Sequence, residues 1–269
     1  MIFDGRAFAK VLQSALSLRV GELSKKPVLA AIYNPEDKAS RIYTDIKEKK
    51  AQELGIGFLK FQITNLNDQS NLKQQITNLN IDNNIDGILI QTPLIDRETD
   101  RELCKLIDPK KDCDGLNPTS GVVPATTKAV FKILFTDLQL PITNYQFPIN
   151  FQFSNPKIQN NKICVIGKRG LVGGSILERI PGAVGMSASE LDTDLLQKAD
   201  VIITAVGRIG LIKPDMIKTG AICIDVGYPK GDFVPECAEK SDFFTPVPGG
   251  VGPVTVICLF ENLIDMIQS

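Results

Sequence analysis

Short β-branched apolar runs alternate with longer helical patterns along most of this chain, and that alternation constrains its fold more than any other feature. The runs are Val28–Tyr33, Gly57–Gln62, Gly87–Gln91, Lys162–Ile166, Val201–Ala205 and Ala221–Val226. Each has strand length and none has the length of an ordinary helix. Helical spacing covers Gly5–Lys25, Ser40–Leu54, Ser70–Leu79, Glu98–Lys105, Thr126–Thr136, Leu171–Arg179, Lys213–Lys218 and Pro253–Ile267. Strands separated by helices pair in parallel, so the expected fold class is α/β. The 269 residues suffice for about two domains at roughly 150 residues each. Residues 141–161 are rich in Pro, Asn and Gln and carry no helical or strand period. They are expected to form a linker or an inserted surface loop. The expected division is therefore 1–140, joined by the C-terminal helix 253–269, as one domain and 162–252 as the other. No internal repeat stands out.

Composition narrows the chemistry through an absence. The chain has no histidine and no tryptophan. Ser-His-Asp triads, Cys-His pairs and H-E-x-x-H zinc sites are excluded, and proton transfer falls to Lys, Asp, Glu, Tyr or Cys. A net charge of −1 argues against broad electrostatic binding to nucleic acid or to an anionic membrane. No uninterrupted apolar run reaches the ~18–20 residues that span a bilayer. The opening Met1–Arg6 lacks a basic-then-apolar signal pattern, so a cytoplasmic location is expected. The six cysteines, at 104, 113, 164, 223, 237 and 258, form no C-x-x-C pair. Buried reduced thiols and no metal site are expected.

Several segments carry chemistry. Ile163–Ile166 runs into Gly167-Lys168-Arg169-Gly170-Leu171-Val172-Gly173-Gly174 and then a helical pattern. A strand, a glycine turn and a helix N-terminus make an anion site, although a tight strand–helix turn with no ligand has the same signature. Lys168 and Arg169 could meet a 2′-phosphate. Ser187 follows the next short strand, where an NAD site usually shows an acidic residue. Ala205-Val206-Gly207 ends another strand. NADP is therefore favoured over NAD. Tyr43 and Lys47 share a helix face at i,i+4. A desolvated Lys has a lowered pKa and is a usable acid/base, while Lys47-Glu48-Lys49-Lys50 also fits a solvated face. The Tyr-x-x-x-Lys spacing resembles that of short-chain dehydrogenases, but there the pair follows the glycine turn and here it precedes it. Asp86–Leu94 is an apolar strand ending at Gln91 and a proline loop. The 107–118 loop holds Asp114 among Asp, Asn, Pro and Gly residues that turn chemistry alone would also explain. Thr245–Pro253 is a Gly/Pro-rich loop ahead of a helix, suited to a flat ligand or to a hinge.

Taken in order, these segments resemble the bifunctional methylenetetrahydrofolate dehydrogenase/cyclohydrolase family from Asp4-Gly5 to Asn262. The specific marks are S-x-x-Y-x-x-x-K at Ser40, Tyr43 and Lys47, D-G-I-L-I-Q-x-P-L at 86–94 and K-D-x-D-G at 111–115. D-M-I-K-x-G-A-x-x-I-D-V-G at 215–227 and T-P-V-P-G-G-V-G-P-x-T at 245–255 complete the set.

The resemblance implies an N-terminal α/β folate and catalytic domain, a C-terminal Rossmann-like dinucleotide-binding domain and a cleft between them. It implies Lys47 as acid/base, Gln91 as its hydrogen-bonding partner, Tyr43 stacked on the folate's aminobenzoyl region and Asp114 on the pterin edge. Pro248, Gly249, Gly250 and Val251 would line the folate site. Gly167, Lys168, Arg169, Ser187, Gly207 and Tyr228 would hold NADP. The implied reaction is oxidation of 5,10-methylenetetrahydrofolate to the methenyl form and hydrolysis of that to 10-formyltetrahydrofolate, by a homodimer. The cofactor half departs from the family pattern. Gly167-Lys168-Arg169 stands for Gly-Arg-Ser, Gly185-Met186-Ser187 for Cys-His-Ser and Tyr228 for Ile. Three alternatives stay open: a cyclohydrolase-dominant enzyme with weak or NAD-dependent dehydrogenase activity, a non-catalytic folate- or nucleotide-binding protein, and a dehydrogenase of another small substrate.

Overall fold

The computed structural model describes residues 1–63, 69–137 and 161–269. Most of the stretch expected as a linker, 141–160, lies outside them. The chain divides into two compact units, Lys10–Ala125 with Val256–Ser269, and Met1–Ala9 with Thr126–Thr255.

The first unit is built on three parallel strands in the order β2-β1-β3, with β1 at Val28–Tyr33, β2 at Gly57–Gln62 and β3 at Gly87–Ile90. The register pairs Leu29 with Phe58 on one side and with Gly87 on the other. β3 is buried throughout and β1 nearly so, which is why both read as continuous apolar runs. β2 lies at the edge and carries polar, exposed positions. Around them run α1 (Gly5–Gly21), α2 (Lys38–Leu54), α3 (Gln69–Ile81) and α4 (Arg97–Cys104). One core joins Ala30, Ile32, Ile88 and Ile90 of the sheet to Leu72, Ile76 and Leu79 of α3 and Leu103 of α4. These sheet positions alternate, as a pleated strand requires. α1 stops at Gly21 rather than Lys25.

α5 (Ala125–Asp137) precedes the second unit's sheet. That sheet has β4 (Ile163–Ile166), β5 (Val184–Met186), β6 (Val201–Thr204), β7 (Ile222–Asp225) and β8 (Phe243–Phe244), all parallel, in the order β5-β4-β6-β7-β8. The strand order reverses between β4 and β6, and open α/β sheets bind ligands at the carboxyl ends of the strands beside such a point. α6 (Leu171–Arg179), α7 (Thr193–Leu196) and α8 (Cys237–Lys240) connect the strands. The N-terminal segment extends the β8 edge: Phe3 N–H donates to Phe244 O at 2.8 Å and Phe244 N–H to Met1 O at 2.9 Å. The helix expected at Lys213–Lys218 is instead a single 3₁₀ turn, Pro214–Met216. Its stretch is too short to repay helix nucleation.

α9 (Val251–Gln268) closes the chain. Its 18 residues are long and apolar enough to cross a membrane by length and composition, which exceeds the run seen in the sequence because Thr255, Glu261, Asn262 and Asp265 interrupt it. Here it is a core helix: Cys258, Leu259, Phe260, Leu263 and Ile264 are completely buried. Asn262 Nδ2 donates to Cys113 O and Val123 O, both at 3.0 Å. Pro253 falls in its first turn, where the missing N–H would have had no partner.

Candidate active site

The first unit buries a lysine. Asp37 caps α2, its carboxylate accepting from Ser40 N–H at 2.6 Å. The buried face of the helix is then Ser40, Thr44, Lys47, Ala51 and Leu54, and Lys47 is only 7% exposed. Lys49 is exposed, so the helix has a solvated face but Lys47 is not on it. Lys47 Nζ donates to Gln91 Oε1 at 2.7 Å. Gln91 follows β3 directly, and its N–H continues the ladder to Ile32 O at 2.8 Å. Its side-chain Nε2 donates to Thr92 O at 3.1 Å, which fixes the amide with its oxygen towards the lysine. Tyr43, one turn before Lys47, is partly buried.

The loop bearing Asp114 is held by carboxylate-to-backbone bonds. Asp112 is wholly buried. It accepts from Asn117 N–H at 2.8 Å, Gly115 N–H at 3.1 Å and Leu116 N–H at 3.3 Å. Asn117 in turn donates to Ile107 O at 2.8 Å. Asp100 does the same for the segment after Gln91, accepting from Leu94 N–H and Ile95 N–H at 2.9 Å each. Asp112, Asn117, Asp100 and Asn262 had no role in the sequence reading. A buried Asx residue looks like ordinary turn chemistry until its backbone partners are visible.

Electrostatics give the lysine its character. Burial lowers the Lys47 pKa from its ordinary 10.5, and the nearby Asp114 acts against that. Burial raises the Asp114 carboxyl, with Lys47 opposing. Burial pushes Asp112 up to about 6 despite its backbone donors. The first unit thus brings Tyr43, Lys47, Gln91 and Asp114 into one neighbourhood and supplies a group that can exchange a proton nearer neutrality than a free lysine.

The second unit carries the glycine turn. Gly167 has φ 111°, and a Cβ there would lie 2.6 Å from Ala205 O. A Cβ on Gly173 would lie 2.3 Å from Gly167 O, so turn and helix pack backbone to backbone. The N–H groups of Gly167 and Lys168 are taken by Met186 O at 2.8 and 3.1 Å. The anion-facing donors are therefore those of the first turn of α6, where Gly170 supplies no side-chain cap. Asp232, wholly buried, holds the turn after β6 by accepting from Val206 N–H at 2.9 Å and Arg208 N–H at 2.7 Å. Gly207 and Tyr228 are neighbours, with the Gly207 Cβ position 3.7 Å from Tyr228 O. Gly167, Ser187, Gly207 and Tyr228 each follow a strand of one parallel sheet, so they share its carboxyl edge. Lys168, Arg169 and Ser187 gather around Glu190, which the sequence reading passed over. The cradle closed to any Cβ, the uncapped helix and the cationic pair fit the phosphates of a dinucleotide. The Pro248–Val251 loop also belongs to this unit; Gly249 has φ 110°, and Gly250 N–H donates to Pro246 O at 2.7 Å. Among the described residues no cluster of Cys, Asp or Glu could hold a metal.

Fold and site together define a two-unit α/β enzyme with a doubly wound dinucleotide-binding sheet and a separate unit that buries a lysine. Residues 3–114 match the model of the tetrahydrofolate dehydrogenase/cyclohydrolase catalytic domain, and 150–269 match that of the same family's NAD(P)-binding domain. The chain belongs to this family. It is 34% identical to the bifunctional protein FolD of Bacillus subtilis, covering 98% of this chain and 96% of the relative. Against the Campylobacter concisus FolD it is 32% identical over 100% and 98%. The Trypanosoma brucei methylenetetrahydrofolate dehydrogenase-cyclohydrolase, solved with NADP and an inhibitor, superposes with a TM-score of 0.85. Identity there is 26%, over 100% and 97% of the two chains.

Proposed function

We propose that this protein oxidises 5,10-methylenetetrahydrofolate to 5,10-methenyltetrahydrofolate with NADP+ and hydrolyses the product to 10-formyltetrahydrofolate. The observation that carries this reading is the buried Lys47 held on Gln91 at 2.7 Å. Bound NADP+ would accept the hydride. Gly167, Lys168, Arg169, Ser187, Gly207 and Tyr228 would hold it. Tyr43 would stack against the aminobenzoyl ring, Asp114 would pair with the pterin's amino and N–H edge, and Pro248, Gly249, Gly250 and Val251 would line the folate.

Hydrolysis then runs on the lysine. The methenyl substrate is a cation, which lowers the Lys47 pKa further. Gln91 Oε1 takes one N–H of the neutral amine, leaving the lone pair free to accept a proton from water as its oxygen bonds to the amidinium carbon. Lys47 returns that proton to N5 as the carbon–N5 bond breaks. The hydroxyl proton leaves to solvent, and the carbon becomes the formyl group on N10. The reaction belongs to cytoplasmic one-carbon metabolism, with a homodimer as the working form; six free, buried thiols agree with a reducing compartment.

Methenyl-folate absorbance should rise with NADP+ and then decay. Lys47→Ala should abolish the decay while folate still binds. Unchanged decay would remove Lys47 from the mechanism, and no rise with either NADP+ or NAD+ would remove the dehydrogenase reading.

A further inference from the structure

The groups suited to a 2′-phosphate already have an anion. Glu190 accepts from Ser187 Oγ at 2.7 Å, and the same oxygen lies 2.8 Å from Lys168 Nζ. Its other oxygen is 3.6 Å from Arg169 Nη2. Backbone geometry fixes this arrangement. Glu190 N–H donates to Ser187 O at 3.0 Å, so a tight turn returns the carboxylate to the end of β5. Lys168 is laid across β5, its Cβ 3.0 Å from the Cβ position of Gly185. The end of this strand is where a dinucleotide-binding sheet meets the adenosine ribose, with an acidic residue when the ribose is unphosphorylated and with cations when it carries phosphate. This chain has both at one place.

We propose that Glu190 is a specificity-determining residue: an internal carboxylate that stands in for the 2′-phosphate, competes with it, and narrows the preference for NADP over NAD. The inference rests on the dinucleotide reading above. A 2′-phosphate must displace Glu190 from Ser187 and Lys168 and then sit beside its charge. An unphosphorylated ribose instead offers hydroxyls that donate to the carboxylate. Glu190 is half exposed, Lys168 36% and Arg169 75% exposed, and exposed ion pairs are weak. Glu190 is therefore a displaceable competitor, and its effect is about tenfold rather than thousandfold.

The test is Glu190→Gln in the full-length protein, which keeps size and removes charge. Calorimetric titration uses 2′,5′-ADP and 5′-AMP as probes with and without the 2′-phosphate. The variant should bind 2′,5′-ADP about tenfold tighter and 5′-AMP equally or more weakly, and the NADP+/NAD+ ratio of kcat/KM should rise by a similar factor. Binding of both probes with an affinity ratio within twofold of the parent overturns the competitor role alone. Weaker 2′,5′-ADP binding overturns it too, since Glu190 would then be supporting the phosphate site. If neither protein binds either probe, the dinucleotide reading fails and this inference fails with it.

Discussion

Replacing Gln91 by Glu tests whether Lys47 acts as a neutral base. The substitution is nearly isosteric and puts a carboxylate where an amide oxygen now lies 2.7 Å from Nζ. At that distance, with an effective dielectric of ~20, the pair attraction is about 6 kcal/mol. Burying the new carboxylate cancels a large part of it. If about half survives, the Lys47 pKa rises by roughly 2 units. In the proposed mechanism hydrolysis needs the unprotonated amine, so its rate should climb as pH rises through the Lys47 pKa, which burial sets below 10.5. In Gln91→Glu that rise should move about 2 units to higher pH, so that at pH values on the rising limb of the parent profile the rate falls by up to about 100-fold. Gln91→Met removes the acceptor without adding charge. The protonated lysine loses a partner, so the rise should move to lower pH even as the maximal rate drops through lost orientation. The assay is decay of methenyl-folate absorbance across pH, corrected for buffer-catalysed hydrolysis. Opposite displacements in the two variants are the expected signature. Equal rate losses with an unmoved pH profile would refute the reasoning, because generic damage to the site does that.

Two further outcomes follow from packing. Gly173→Ala drives a methyl into Gly167 O, so the turn must open. The KM for NADP+ should rise at least about tenfold, with much less change in hydrolysis of added methenyl-folate; equal losses in both would show that the damage is not confined to the turn. Asn262→Leu strands the carbonyls of Cys113 and Val123, which Asn262 now satisfies. Two buried acceptors left unpaired cost about 2–4 kcal/mol, or roughly 5–12 °C in Tm for a chain of this size. The KM for folate should rise as well, because Asp114 rides on that loop, and a Tm within a degree of the parent would contradict this account.

What could be read from sequence follows the range of the forces involved. β1 and β2 begin and end where their apolar runs do, because hydrophobic burial and strand length are local in the chain. The two-residue β8 and the four-residue α7 and α8 are too short to leave a period, and only their neighbours make them regular. Lys47 was legible as a candidate from its spacing to Tyr43. Its burial was also written in the small residues at Ser40, Thr44 and Ala51 on the same helical stripe. The supports of Asp114 were not legible. Asp112 and Asn262 act on backbone groups, and backbone groups have no sequence signature. Glu190 escaped for a related reason: its partners come from the turn after β4 and the turn after β5, a pairing that exists only once those strands lie side by side.

The missing histidine now has a physical answer. A chain without imidazole must bring some other group towards neutrality, and a lysine starts at 10.5. Burial, a neighbouring cation or loss of acceptors can lower it. Of the groups that act on Lys47 here, the Asp114 carboxylate pulls the other way, while burial holds the Cys113 thiol uncharged, so burial does the lowering. That balance has a use. A lysine in a wholly apolar pocket would be neutral but poorly oriented and a weak proton donor for the second half of hydrolysis. In the proposed mechanism Asp114 would keep the protonated form accessible, while the amide of Gln91, itself fixed on Thr92 O, would aim the nitrogen in either state. A cationic substrate that pairs with Asp114 would both weaken that counterweight and repel the ammonium. The amine would then lose its proton at the moment a base is needed, and could return it once water addition has discharged the amidinium.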